Sequence, residues 1–457
     1  MSANQPWYRE LNRYHWFVLL VAALGWLFDT MDQQLFVLVR IDALAELIGK
    51  PASDDEVKGW AGKATAIFLI GWATGGLGFG VLGDRIGRVK TMLLTILLYS
   101  VCTGLSIFAT GPWDFCFFRF LTGLGVGGEF AVGVALVAES MPSRARAYSL
   151  SLLQASSGIG NIAAALIYLG LGRMESAGWF TSAPTFAGHP LSPWRVAFLV
   201  GTIPALLCLL IRRRLKEPEV WKQKSAEKKN ELGSYRALFG NPTWRKRALF
   251  GLLLGFAAVV GLWGIGFFMS ELVKSTLPPA FKAQGISGDE LSGKIKTWAG
   301  ISSVMQNLGG MAGIIAGGIL AQRIGRRPAF AIAYLAALAS TAFVFLNFRQ
   351  PSDVFWMVPL MGFCQLSLFG LLAMYLPELF PTSLRSTGTS FCYNVGRFVA
   401  ALGPWIFGIL TSQVFIGEAY PGETPFRYAG ASMCVVFLLG IVALPFLPET
   451  KGKPLPE

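Results

Sequence analysis

Twelve stretches of predominantly apolar residues recur along this chain, near 16–39, 62–83, 91–110, 112–138, 147–171, 194–211, 248–271, 297–321, 328–347, 353–376, 386–412 and 427–447. A helical run of roughly 20 such residues covers a hydrocarbon core about 30 Å thick, at about 1.5 Å per residue. Lipid offers the backbone no hydrogen-bond partners, so each crossing segment must satisfy its own. That leaves helices, because the alternating pattern of barrel strands is not seen. The expected fold class is an all-α membrane protein of 12 transmembrane helices. A mean hydropathy of +0.53, with 53% hydrophobic and 14% charged residues, agrees.

Basic residues resist translocation, so their placement orients the chain. With both termini in the cytoplasm, 25 of the 39 lysines and arginines fall in inside segments and 12 in outside ones; Arg119 and Arg397 lie within spans. Topology thus accounts for the net charge of +13 and implies no nucleic-acid partner. The polar start "MSANQPWYRELNRYHWF" leads into a full-length span without a small-residue cleavage pattern, so the first helix is expected to remain. The six cysteines show no C-x-x-C spacing, and the two histidines lie near span ends. No disulfide frame, metal site or cofactor is expected.

The chain also repeats itself. "GVLGDRIGRVK" at 80–90 returns as "GILAQRIGRRP" at 318–328, an offset of 238. "AESMPSRARAYS" at 138–149 returns as "PELFPTSLRSTG" at 377–388, pairing Glu139 with Glu378 and Arg146 with Arg385 at an offset of 239. Two motifs with nearly one offset imply two pseudo-symmetric six-helix bundles, 1–211 and 248–457. They are joined by a polar linker, 212–247, expected to carry short helices lying on the membrane surface.

Together with "RFLTGLGVGGE" at 119–129 and "LPETKG" at 447–452, these loops resemble the major facilitator superfamily, in its sugar-porter-like branch, over essentially the whole chain. Within that branch the first-span Asp29-Thr-Met-Asp32 and "YNVGRFVAALGP" at 393–404 are most similar to aromatic-acid and sialate proton symporters, although those symporters usually carry a glycine after the first aspartate. Gly123, Gly125 and Gly128 also fit a nucleotide-binding G-x-G-x-x-G, but they lie inside a span, where close helix packing is the simpler use.

A charge at the bilayer centre costs at least about 2.5–3.5 kcal/mol, so each one is a functional candidate. They are Asp29, Asp32, Arg119, Glu129 and Arg397. Counting along the helices places Asp32 and Arg119 level, about 10 Å below the outer boundary, where pairing lowers the cost of burying both. The resemblance implies that such a first-span acid and fourth-span arginine carry proton coupling: withdrawal of the arginine lets Asp32 take a proton. A structural ion pair is the alternative. Asp29 has no partner that depth assigns, and Glu129 is either a second proton site or a helix–helix contact.

Arg397 falls near mid-membrane in the opposite half, where a permanently charged fork suits bidentate capture of a carboxylate. A structural contact to Asp29 or Glu129 is the alternative use. Asn394 shares its helical face, and Gln154, Gln306, Asn307 and Gln365 are mid-span polar candidates for a substrate or for helix contacts. Trp26, Trp72 and Trp263 can supply apolar walls. For the loop motifs, the resemblance implies gating: Asp84 accepts from a helix N-terminus of the other half, while Arg85, Arg88, Glu139, Arg146, Glu378 and Arg385 close the inner side, the last five excepting Arg85 through ion pairs between halves.

The function these residues predict is a monomeric, multi-pass cell-membrane transporter importing a small organic anion with protons, a carboxylate such as an aromatic or sugar acid. A neutral-sugar or organic-cation porter, a proton antiporter, and a solute receptor are the other readings. No nucleophile, base and oxyanion site assembles, so no enzyme is expected.

Overall fold

A computed structural model of the chain describes residues 6–52, 54–180, 185–186, 189–227, 232–400, 402–416 and 424–456. Positions 228–231 of the expected linker and 401 of the expected span 386–412 lie outside the described residues.

Helix α1 (Arg13–Ile48) starts with a reciprocal cap. Asn12 Oδ1 accepts the His15 N–H at 2.8 Å and His15 Nδ1 accepts the Asn12 N–H at 3.3 Å. It ends at Gly49, whose φ of 73° favours glycine. Then come α2 (Asp55–Ile86), α3 (Arg88–Leu105), α4 (Pro112–Ser140) and α5 (Ser143–Ser176). A two-residue antiparallel pair, β1 (Thr185–Phe186) and β2 (His189–Pro190), precedes α6 (Pro193–Val200) and α7 (Leu207–Arg214). The linker forms α8 (Glu219–Glu227) and α9 (Tyr235–Gly240). The second half runs through α10 (Pro242–Trp263), α11 (Met269–Thr276), α12 (Pro278–Lys282), α13 (Gly288–Ile324), α14 (Arg326–Asn347), α15 (Met357–Glu378), α16 (Arg385–Ala400), α17 (Gly403–Ile409), α18 (Thr424–Met433) and α19 (Val436–Ala443).

Among the described residues, 10 helices are long and apolar enough to cross a membrane. Of the expected stretches, 194–211 is interrupted by a 3₁₀ turn at Ile203–Leu206 containing Pro204, which cannot donate to a helical ladder. The stretch 386–412 divides into α16 and α17. Ser386, Thr387, Thr389, Ser390, Asn394 and Arg397 make α16 too polar to count as an ordinary span, and all six are buried. A polar face of this kind is tolerated only where protein rather than lipid covers it.

The repeat is visible in the packing. In the first half α2 lies along α4 and α1 along α5; in the second, α13 lies along α15 and α10 along α16. Close approach in α2 and α4 depends on glycine: a Cβ on Gly75 would run into the backbone of Leu124, and one on Gly127 into that of Trp72. Gly123, Gly125 and Gly128 likewise sit mid-helix against α2 and α3, which accounts for the false nucleotide motif. The halves meet along two seams, α2 with α16 and α5 with α13.

Glu10 and Tyr14 near one end, and Lys451 near the other, lie on the face that carries the linker. Arg144 pairs with Glu10 at 3.3 Å, Lys216 N–H donates to Tyr14 Oη at 3.1 Å, and Lys451 Nζ donates to the Arg323 carbonyl at 2.7 Å. The linker helices do not simply lie on a membrane surface. Trp221 is buried and donates Nε1–H to the Asp84 carbonyl at 2.8 Å, and Tyr235 donates to the Leu77 carbonyl at 3.1 Å, so both helices are tied to the end of α2.

Candidate functional site

α1 and α4 bring the two expected partners together. Arg119 Nη1 stands 4.0 Å from Asp32 Oδ2, with both side chains fully buried. The guanidinium donates Nη2–H to Ser106 Oγ at 2.5 Å and lies over the Phe198 ring, 4.4 Å from its centroid. Neither Asp32 oxygen accepts a hydrogen bond, so this is a charge pairing without the bidentate lock of a permanent structural bridge. Asp29 is also buried with both oxygens unbonded, and its charged neighbours are Glu129, Asp32 and Arg397. Glu129 accepts from Thr95 Oγ1 at 3.1 Å, and it can lie against α1 because residue 25 is glycine. Three buried acids and one arginine thus occupy the α1–α3–α4 interior.

Arg397 of α16 reaches the first half. Its guanidinium stacks 4.2 Å from the Trp72 ring centroid and 4.4 Å from that of Tyr393. Nη1 donates to the Tyr393 carbonyl and to Asn394 Oδ1, both at 2.8 Å. Among the described residues no carboxylate lies within ion-pair distance of it, so the expected alternative of a direct contact to Asp29 or Glu129 does not form. Aromatic rings surround this point: Trp26 against Phe130, Phe130 stacked on Tyr393 at 3.9 Å, and Trp72 edge-on to Trp263 of the other half at 5.7 Å. A permanently charged planar fork between aromatic faces is suited to a carboxylate with an apolar body.

The remaining polar candidates separate into distinct contacts. Gln306 Nε2 lies 3.5 Å from Gln365 Oε1, and Gln365 donates to Thr341 Oγ1 at 2.8 Å. Asn307 accepts from Asn161 at 2.8 Å across the halves. Gln154 keeps its Oε1 without a hydrogen bond.

On the linker face Asp84 accepts from the N–H groups of Ser386 at 3.1 Å and Thr387 at 2.8 Å, and from Thr387 Oγ1 at 2.6 Å, at the start of α16. It also pairs with Arg88 at 2.9 Å. Glu139 binds Arg88 at 2.8 Å within its half and Arg385 at 2.7 Å across halves. The other expected ion pairs between halves do not form. Glu378 is taken by Arg326 at 2.8 Å and by the Thr450 hydroxyl at 2.5 Å, which leaves Arg146 donating to the Ala138 carbonyl at 2.8 Å. Arg88 crosses only to the Thr382 carbonyl, and Arg85 donates to the Leu232 carbonyl at 3.2 Å.

Sequence reasoning missed Arg326 as a partner of Glu378, although its alignment with Arg88 in the repeat signals it. It also missed two capping glutamates. Glu217 accepts from the N–H groups of Arg88, Val89 and Lys90 at the start of α3. Glu449 accepts from those of Arg326 and Arg327 at the start of α14, both at 2.9 Å, and from Thr450 and Lys451. Partial burial of Glu449 opposes its charge, but these backbone donors outweigh it and hold the carboxyl below the ordinary glutamate range. Each cap follows a glycine at positive φ, Gly87 at 115° and Gly325 at 102°, so the two loops share one geometry.

Comparison with known proteins places this geometry. The family model described as Major Facilitator Superfamily matches residues 16–275 and 264–457. The chain is 30% identical over 453 residues to a protein of Haemophilus influenzae described as a metabolite transport protein, covering 98% of this chain and 99% of the relative. It is 28% identical to a sialic acid transporter of Escherichia coli, covering 90% and 91%. Among solved structures, the proton:xylose symporter XylE superposes with a TM-score of 0.68 at 20% identity, covering 97% of this chain and 98% of that one, a likeness of fold.

Proposed function

The chain belongs to the major facilitator superfamily, a membrane transporter and not an enzyme, and from that premise we propose that it imports a small organic carboxylate together with protons. The observation that carries the substrate class is Arg397: a buried guanidinium between Trp72 and Tyr393, aimed across the halves and paired with no carboxylate among the described residues. The sialic acid transporter among the relatives acts on an acid, which supports the same class.

In this reading residues 1–211 and 248–457 are the two moving bundles and 212–247 the linker. The interrupted segments at 193–214 and 385–409 complete twelve crossings, and the linker face is cytoplasmic. Asp32 is the proton carrier, with Arg119 as its charge partner; Asp29 and Glu129 are further proton sites in the same interior. Asp84, Glu139, Arg385 and Arg88 close the cytoplasmic side, and their separation opens it. Gln306, Gln365 and Gln154 are polar contacts for the body of the substrate. The protein works as a monomer in the cell membrane.

The test is uptake into proteoliposomes under an imposed pH gradient, with a panel of carboxylates and the matching neutral amides and sugars. Carboxylate uptake coupled to proton entry is expected, abolished by Arg397→Ala. Uptake of neutral sugars without proton movement, or unaltered carboxylate affinity in R397A, sinks the reading.

A further inference from the structure

Thr387, Ser390, Asn394 and Arg397 stand at spacings of three and four residues along α16, so they share one stripe of the helix. That stripe faces α2 and α4 of the first half. Thr387 Oγ1, which donates to Asp84, also lies 3.4 Å from the Gly80 carbonyl, and Ser390 Oγ donates to the Gly76 carbonyl. Asn394 Nδ2 donates to Ser390 Oγ at 2.9 Å and to the Gly127 carbonyl at 3.4 Å. Side chains approach so closely because the facing residues are glycine: a Cβ on Gly76 would overlap the Asn394 amide, and one on Gly80 would meet Ser390 Cβ at 2.6 Å.

The direction of donation is fixed along this row. Arg397 Nη1 donates to Asn394 Oδ1, Asn394 Nδ2 donates onward to Ser390 Oγ, and the Ser390 hydroxyl therefore donates to Gly76. Each bond polarises the next donor, so the row is stronger than its separate members. Among the described residues, the Asn394 amide hydrogen-bonds both to the guanidinium and to the backbone of the opposite half.

We propose that Asn394 is a positioning residue that makes opening of the linker face depend on a carboxylate bound at Arg397. This rests on the reading that Arg397 receives the substrate anion. A carboxylate engages the Arg397 Nε–H, which has no partner among the described residues, and turns the fork towards itself, drawing Nη1 off the neutral amide oxygen. Asn394 Oδ1 then loses its donor, and the side chain turns and releases Ser390 and Gly127. Without those bonds α16 separates from α2 and α4 at its inner half. Binding energy at the anchor is thereby spent on loosening the seam, and an empty transporter stays shut on that side.

The experiment uses the full-length protein in nanodiscs, spin-labelled at Lys90→Cys and Arg323→Cys, exposed positions on the linker face of the two halves. The six native cysteines are buried. Benzoate and N-acetylneuraminate serve as probes, with binding measured in parallel. In the parent protein the bound carboxylate is expected to lengthen the distance between labels. In Asn394→Ala the long distance is expected without ligand, and saturating ligand changes its population by less than about twofold, because the differential affinity for the two states is gone. Asn394→Asp separates the two roles: its carboxylate pairs with Arg397, so probe affinity falls by at least about tenfold, and with no N–H left for Ser390 or Gly127 the long distance is again expected without ligand. Should Asn394→Ala fold poorly, Ser390→Ala breaks the same row one step later and should lengthen the resting distance with probe affinity retained. Parent-like ligand response in N394A, or a resting distance in N394D as short as the parent's, overturns the proposal alone. Failure of the parent protein to bind either carboxylate removes the substrate reading itself, and this inference with it.

Discussion

Along the α2–α16 seam, Asp84, Gly80 and Gly76 meet Ser386, Thr387, Ser390 and Asn394; one repeat away, along α13–α5, stand Gln322, Gly318 and Ile314 against Ala147, Tyr148, Ser151 and Ala155. The first seam is joined by buried hydrogen bonds at nearly every turn. In the second, Ser151 lies against Gly318 but its hydroxyl bonds to nothing, and the position matching Arg397 is Gly158, packed on Met311. The difference begins at the helix starts. α16 begins at Arg385 and leaves the Ser386 and Thr387 N–H groups for Asp84, whereas α5 begins earlier, at Ser143, and the matching N–H groups lie inside its own ladder. An acid at 322 would find no orphan donors, which explains the glutamine. Two copies of one contact have thus become a hydrogen-bonded seam and a smoother one; in the proposed function the first is the latch that is made and broken and the second the joint that stays in contact.

The comparison breaks first at Asp84. Asp84→Asn puts an amide donor against the α16 N–H groups and leaves Arg88 with one acid fewer; disrupting a buried ion pair costs about 3–5 kcal/mol. Initial uptake rates should fall by about 100-fold or more, with the linker face open in distance measurements, while Gln322→Asn should remain near parent level. A smaller effect separates the two serines. Ser390→Ala removes two hydrogen bonds and should cost about 1 kcal/mol of closure, read as a several-fold shift in the inward-open population, whereas Ser151→Ala should change it by less than about 0.5 kcal/mol. Gln322→Asp tests the explanation itself: the new acid meets no free N–H, and Arg326 is already paired with Glu378, so uptake should stay within about twofold of the parent.

The smallest effect concerns the caps. Because the Glu449 carboxyl is held below its ordinary value of 4.5, its contribution to folding is complete above that pH and fades as pH falls through the lowered value. Glu449→Gln should therefore lower the melting temperature slightly at pH 7, with the difference from the parent shrinking only below pH 4.5.

Much of this was legible in the sequence because depth is: counting residues along a helix places Asp32 and Arg119 level, and they meet. Direction around the helix axis is not counted so easily. Arg146 and Arg385 are copies at matching depth, yet only Arg385 finds an acid of the other half, because Arg326 and Thr450 already fill Glu378. Trp72 reads as one more interfacial tryptophan until the fold sets it under a guanidinium from 325 residues further along the chain. The polarity of α16, by contrast, was in plain view: 386–412 reads as apolar overall, yet Ser386, Thr387, Ser390, Asn394 and Arg397 within it are the residues that build the seam.

The two capping glutamates carry a consequence for biogenesis. Glu217 closes the start of α3 from 129 residues downstream of Arg88, and Glu449 closes α14 from 123 residues downstream of Arg326. At translation speeds of about 5–20 residues per second, the first half waits roughly 6–26 s for its own final bond, with its linker still emerging. The second waits a comparable time for Glu449, so each of the two loops stays uncapped while more than a hundred further residues are made.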